Sequence, residues 1–203
     1  MGRRSDHTRE ELKSLMLNAA ITIVVEQGFR GVTARKVAEQ AGYTVGSLYQ
    51  VFKNLDDLIV QLNEQTMDEI LLLIERELQQ QGDEITVMHA LALGYARYAS
   101  ENSNRWRMVF EHKLPTTHPL PESFQHKILS CFVMITQRFA QLFPQKKDEE
   151  LLQAAQALWS SIHGICILSV TGKLDTAKAG NMEPLIGCLV DNFIGGLLAS
   201  SQK

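Results

Sequence analysis

Residues 33 to 52, TARKVAEQAGYTVGSLYQVF, keep a helical spacing of apolar side chains twice and break it once. Thr33 is placed to cap a short helix with Val37 and Ala41 inward and Arg35, Lys36 and Glu39 outward, and Gly42 interrupts it. Thr44 caps a second helix, in which Leu48, Val51 and Phe52 fall at i, i+3 and i+4 and share one face. Two short helices joined by a tight turn form a helix-turn-helix when a small residue lies at their closest approach and the turn tolerates a positive φ. Ala38 and Gly42 meet these two needs.

The rest of the chain repeats the helical period without such breaks. Thr8 and Glu11 have capping-box spacing before an apolar stripe of Leu12, Met16, Ala19 and Ile23, with Gly28 placed to end the helix. Asn54 caps a long helix to about Gln80, with Asp56 and Asp57 in its first turn and Leu58, Leu62, Met67, Leu71 and Ile74 inward. Further helices are expected at about 84–100, 103–112, 121–143, 147–171 and 182–200. Alternating β-branched runs are almost absent, so the class is all-α: three N-terminal helices containing the helix-turn-helix, a long fourth helix, and an all-helical remainder. The expected domains are 1–55 and 56–203.

Net charge is -3, but its distribution is uneven. Residues 1 to 55 carry +3 and the remainder -6, which suggests a small basic module joined to a larger acidic one. The apolar run around IHGICILSV is too short to span a bilayer, and no apolar run follows the N-terminal arginines, so a cytoplasmic protein with no membrane partner is expected. Cys131, Cys166 and Cys188 are widely spaced among apolar neighbours and read as reduced, core-facing thiols. Neither a disulfide framework nor a metal site is expected from them.

With Leu48, Val51 and Phe52 inward, the second short helix turns Val45, Gly46, Ser47, Tyr49 and Gln50 outward, a face without an acid. The Thr44 hydroxyl and the first amides of that helix suit a phosphate, and Gly46 permits close approach of another surface. The Tyr49 hydroxyl can reach a phosphate, and Gln50 or Ser47 can bond a base edge.

The stretch RGVTARKVAEQAGYTVGSLYQVFKNLDDLI, preceded by EQGF, resembles the N-terminal domain of the TetR family of transcriptional regulators. The matched positions are Gly28, Phe29, Thr33, Ala38, Ala41, Gly42, Gly46, Leu48, Tyr49, Phe52, Asp56 and Leu58, and in detail the likeness covers about residues 8 to 62. It implies phosphate contacts from Thr33, Thr44 and Tyr49 and a major-groove face of Val45, Ser47 and Gln50; the outward Arg35 is a further DNA-binding candidate. Where the family usually has a lysine at the start of the fourth helix this chain has Leu55, which leaves Lys53 as a substitute. Arg3 and Arg4 suit either a basic arm over the minor groove or a solvated tail.

The resemblance further implies a C-terminal domain that holds a small effector and forms a dimer through the last two helices of each subunit. In the last helix Ile186, Leu189, Val190, Phe193 and Leu197 make a broad apolar face, open to a partner or to the chain's own core, and Gly195 and Gly196 permit close approach. A homodimer sets two recognition helices about one DNA turn, roughly 34 Å, apart, as a palindromic operator requires. Trp159, His163 and Gly164 form a Trp-x-x-x-His-Gly pattern similar to one in a subset of the family. Its histidine is either a pocket wall bonding a polar ligand group or a satisfied core residue. Tyr95, Tyr98, Trp106, Phe110, Phe132 and Met134 are the other candidate lining residues, for an effector that is apolar or aromatic.

The expected function is a ligand-responsive DNA-binding repressor, with a helical DNA- or protein-binding adaptor lacking an effector as the alternative. An enzyme is not expected: the chain has no Glu-x-x-His pair on an inward face, no nucleophile elbow, no P-loop and no zinc-protease pattern, and no cofactor is implied.

Overall fold

The computed structural model describes residues 7–115, 119–176 and 180–200, so Arg3 and Arg4 lie outside the described residues. The described residues fold as ten α-helices: α1 Arg9–Gln27, α2 Ala34–Ala41, α3 Val45–Val51, α4 Leu55–Leu78, α5 Glu84–Glu101, α6 Ser103–Glu111, α7 Glu122–Leu142, α8 Asp148–Val170, α9 Lys173–Thr176 and α10 Met182–Ser200. The all-α expectation holds, and the helix boundaries follow the caps. Thr8 Oγ1 accepts the Glu11 amide at 3.2 Å, while Glu11 Oε2 accepts the Thr8 amide at 2.6 Å. These hydrogen bonds hold the Glu11 carboxyl below its ordinary range. Asp83 accepts the Ile85 and Thr86 amides at 3.1 and 3.0 Å to open α5. Asn54 accepts the Asp57 amide at 2.8 Å at the start of α4.

Two short pieces escape the periodicity. Phe29–Gly31 form a 3-10 turn after α1, and α9 is a single helical turn whose Leu174 is buried. Each is too short to show a helical period, and α9 is fixed by one apolar contact within an otherwise polar run.

The contacts divide the chain into two compact units, residues 1–66 with 104–120, and 67–103 with 121–203. This division differs from a single cut at residue 55, because α6 returns to the first unit. There α1 packs against α2 and α3, and one core joins Met16, Ala20, Ile23 and Val24 of α1, Val37 of α2, Leu48 and Val51 of α3 with its C-cap Phe52, Leu58 and Leu62 of α4, and Met108 of α6. In the second unit α8 packs against α7, α5 and α10, and α10 against α5. His89 and Asp191 meet at 2.7 Å between α5 and α10, and Arg138 and Glu84 at 2.5 Å between α7 and α5.

The last helix departs from the expected surface. Ile186, Val190 and Ile194 are buried to 0–1% exposure inside their own unit, which removes Ile186 and Val190 from any subunit face. Leu189, Phe193 and Leu197 keep part of their surface, and Leu198 is exposed. The residues at i, i+4 and i+8 were taken up by the core of the same chain, and the flanking stripe was left outside. By length and composition Asp148–Val170 and Met182–Ala199 are apolar enough to cross a membrane; 33% and 17% of these stretches are buried in the chain.

The thiols also divide. Cys166 is buried, Cys131 half-buried and Cys188 exposed on α10, so Cys188 does not face the core. Burial pushes Cys131 and Cys166 each up to about 12, which keeps them as protonated, unreactive thiols.

Candidate nucleic-acid interface and effector cluster

The corner between α2 and α3 is built from its caps. Thr33 Oγ1 accepts the Lys36 amide at 3.2 Å, and Thr44 Oγ1 accepts the Ser47 amide at 3.2 Å. Gly42 ends α2 at φ 78, ψ 25, in the left-handed region. The Tyr43 amide then reaches back to the Ala38 carbonyl at 2.8 Å and the Gly42 amide to that of Glu39 at 3.1 Å, which satisfies the open carbonyls of α2. Ala38 is 1% exposed where the helices meet.

Leu48 and Phe52 are 0% and 2% exposed and pin α3 to the core of its unit. Rotation about the helix axis is thereby removed, and Val45, Tyr49 and Gln50 point outward; Tyr49 is 50% exposed. Nothing in the chain requires Gly46 to be a glycine, since an added Cβ would meet only the Thr44 hydroxyl at an ordinary 3.6 Å. Ser47 is less free than its position suggests: it is half-buried, with its hydroxyl 3.0 Å from that of Thr44.

The charges around α3 are partly engaged. Arg35 Nε pairs with Glu39 at 2.8 Å on the surface of α2, and Lys36 Nζ donates to Gln27 at 2.6 Å. Leu55 packs against the core of the unit, which accounts for its apolar character at the start of α4. Lys53 is exposed, and its amide donates to Asp57 Oδ2 at 2.8 Å.

Asn104 and His112, at the two ends of α6, escape the sequence reading. Asn104 Nδ2 donates to the Val25 carbonyl at 2.9 Å, and His112 Nε2 lies 2.9 Å from Asp56 Oδ1. No local pattern could reveal them, because their partners lie 79 and 56 residues away along the chain.

Four of the candidate effector residues come together in the second unit. Phe132 meets Trp159 edge-on at 5.6 Å, Trp159 and His163 lie 5.2 Å apart, and the Tyr95 hydroxyl is 3.1 Å from His163 Nδ1. Burial lowers the His163 pKa below its ordinary 6.5, favouring the neutral ring, whose Nδ1 shares a hydrogen bond with the Tyr95 hydroxyl. Tyr98 turns instead to Glu69 Oε2 at 2.7 Å. Met134 is half-buried two residues beyond Phe132 on α7, a step that carries it to the other side of the helix. Trp106 and Phe110 pair edge-on at 5.3 Å on α6, within the first unit and apart from the four.

Comparison with known proteins matches both parts. Residues 16–62 fit the model for bacterial regulatory proteins of the tetR family, and residues 88–193 fit that for the tetracyclin repressor-like C-terminal domain. The fatty acid metabolism regulator protein of Bacillus subtilis is 27% identical over 85 residues, which are 42% of this chain and 42% of that protein. Among solved structures, a protein of unknown function from Rhodococcus sp. RHA1 superposes with a TM-score of 0.77 at 18% identity, covering 96% of this chain and 98% of the other. The regulator FadR from Bacillus subtilis, in complex with stearoyl-CoA, gives a TM-score of 0.65 at 16% identity, covering 90% and 98%. With a helix-turn-helix that fits one family model and residues 88–193, more than half of the chain, that fit another, the chain belongs to the TetR family of transcriptional regulators.

Proposed function

We propose that this regulator is a homodimeric repressor that binds a palindromic operator and leaves it when a small apolar molecule enters the second unit. The observation that carries the DNA reading is the outward face of α3. It is a helix without a charged side chain, held by Leu48 and Phe52 and presenting Val45, Gly46, Tyr49 and Gln50. Val45 and Gln50 would read base edges, and Thr33, Thr44, Tyr49 and Lys53 would contact phosphate. Arg35 would join them by exchanging Glu39 for a phosphate oxygen. Ser47 would act mainly through its hydrogen bond to Thr44.

Dimerisation is supported by the apolar surface left outside on α8 and α10. Leu152, Leu168 and Leu198 are 38%, 45% and 37% exposed, and a second copy would cover them. The effector reading rests on Tyr95, Phe132, Trp159 and His163, an apolar cluster with one polar pair. A regulator of the same fold carries stearoyl-CoA, so a long acyl chain is the first class to test. The effector must bind the released state more tightly than the DNA-bound state, or it shifts nothing.

The test is fluorescence anisotropy with a labelled duplex from the region upstream of the protein's own gene, titrated with stearoyl-CoA and with coenzyme A alone. Operator binding well above that of a scrambled duplex, with release by the acylated form only, is the expected result. Equal affinity for both duplexes overturns the DNA reading. Specific binding unaffected by either compound overturns the acyl assignment.

A further inference from the structure

Two acids, Asp56 and Asp57, open α4 only a few residues after the recognition helix and next to Lys53, which the DNA reading above sets against a phosphate. A carboxylate near a phosphate repels it, and physiological salt damps that repulsion only over about 8 Å. Both acids are bound by this chain. Asp57 accepts the Lys53 amide through Oδ2 and the Gln61 side-chain amide, at 2.9 Å, through Oδ1. Asp56 has a side chain 41% exposed, and its Oδ1 meets His112 Nε2.

His112 is held firmly enough to restrain its partner. Its side chain is only 5% exposed. The Phe29 ring stands edge-on to the imidazole at 5.7 Å. The His112 amide donates to the Met108 carbonyl at 3.0 Å, and Met108, 1% exposed, belongs to the core that α1, α2, α3 and α4 share. At the other end of α6, Asn104 is bonded to the last turn of α1. The imidazole therefore cannot follow Asp56 outward. With the proton on Nε2 it donates to the carboxylate and draws it toward the protein.

We propose that His112 is a positioning residue for DNA binding, holding the Asp56 carboxylate away from the phosphate beside Lys53, so that α6 adjusts operator affinity without touching DNA. The inference rests on the DNA reading of α3. Releasing Asp56 makes an existing negative charge mobile at each half-site. Asp57 undergoes no such change, because its partners come from the helix start itself.

The test uses the full chain, with anisotropy on the same upstream duplex at about 50 and 300 mM salt and a thermal melt of every variant. His112→Ala is expected to weaken binding about three- to tenfold at the lower salt, an effect that shrinks to under about twofold at the higher salt. His112→Gln, which keeps a donor, is expected to stay near the parent protein. Asp56→Asn combined with His112→Ala is expected to regain at least the parent affinity, which loss of packing alone would not allow. A double variant as weak as His112→Ala, or a loss equal at both salts, overturns the proposal and leaves His112 as packing. A parent protein that binds no duplex overturns the DNA reading and this inference with it.

Discussion

Gly46 separates folding from function more sharply than any other residue of α3. The chain has room for a Cβ there, and alanine is the better helix former by about 1 kcal/mol. Gly46→Ala is therefore expected to leave stability unchanged or raise it by up to about 1 kcal/mol in chemical denaturation, while lowering operator affinity in the anisotropy assay. Unchanged affinity would remove Gly46 from the DNA-facing surface. His163 makes a different kind of statement. Because burial lowers its pKa, the folded chain resists a proton that the unfolded chain takes up near 6.5. The linked stability is intact above that value and is lost as the pH falls from there toward the lowered folded pKa. Melting temperature is expected to drop between pH 7 and pH 5.5, and the drop to be smaller in His163→Asn. An equal drop in both proteins would assign the acid sensitivity to other groups.

The helices were legible because their signals are local. Thr8, Thr33, Thr44 and Asn54 each precede a periodic apolar run, and each caps the helix that follows. Gly42 is the turn residue for a backbone reason, since its φ of 78 lies in the left-handed region and an added Cβ there would meet open space. Gly42→Ala is thus expected to cost about 1 to 2 kcal/mol in urea unfolding through backbone strain alone. A null effect would mean that the turn adjusts. Leu174 and Phe29 mark what a period cannot report, because a single turn has no second member to define a face.

The make-up of the first unit rests on contacts distant in sequence. Met108, Asn104 and His112 attach α6 to the helix-turn-helix unit across some fifty to eighty residues, contacts that no local pattern carries. The apolar stripe of α10 likewise had two possible uses. Ile186 and Val190 went to the core, and Leu189, Phe193 and Leu197 kept surface. If the proposed dimer forms through this face, Phe193→Glu is expected to give a monomer in sedimentation equilibrium and to lower operator affinity more than about a hundredfold, because a palindrome rewards two linked half-site contacts. A parent protein that is monomeric at micromolar concentration would refute the dimer.

Residue order alone settled the helical class, the caps at Thr8, Thr33, Thr44 and Asn54, the Gly42 turn and the outward face of α3 apart from Ser47, since each depends on neighbours within about four positions along the chain. The same sequence listed eight aromatic, methionine and histidine residues as one effector set. Packing brought together Tyr95, Phe132, Trp159 and His163, turned Tyr98 to Glu69 and gave Trp106 and Phe110 to the DNA-binding unit. Helical period reports that a side chain is buried, and only the folded neighbours decide against what, because the partners of a buried face are chosen by shape and distance in space.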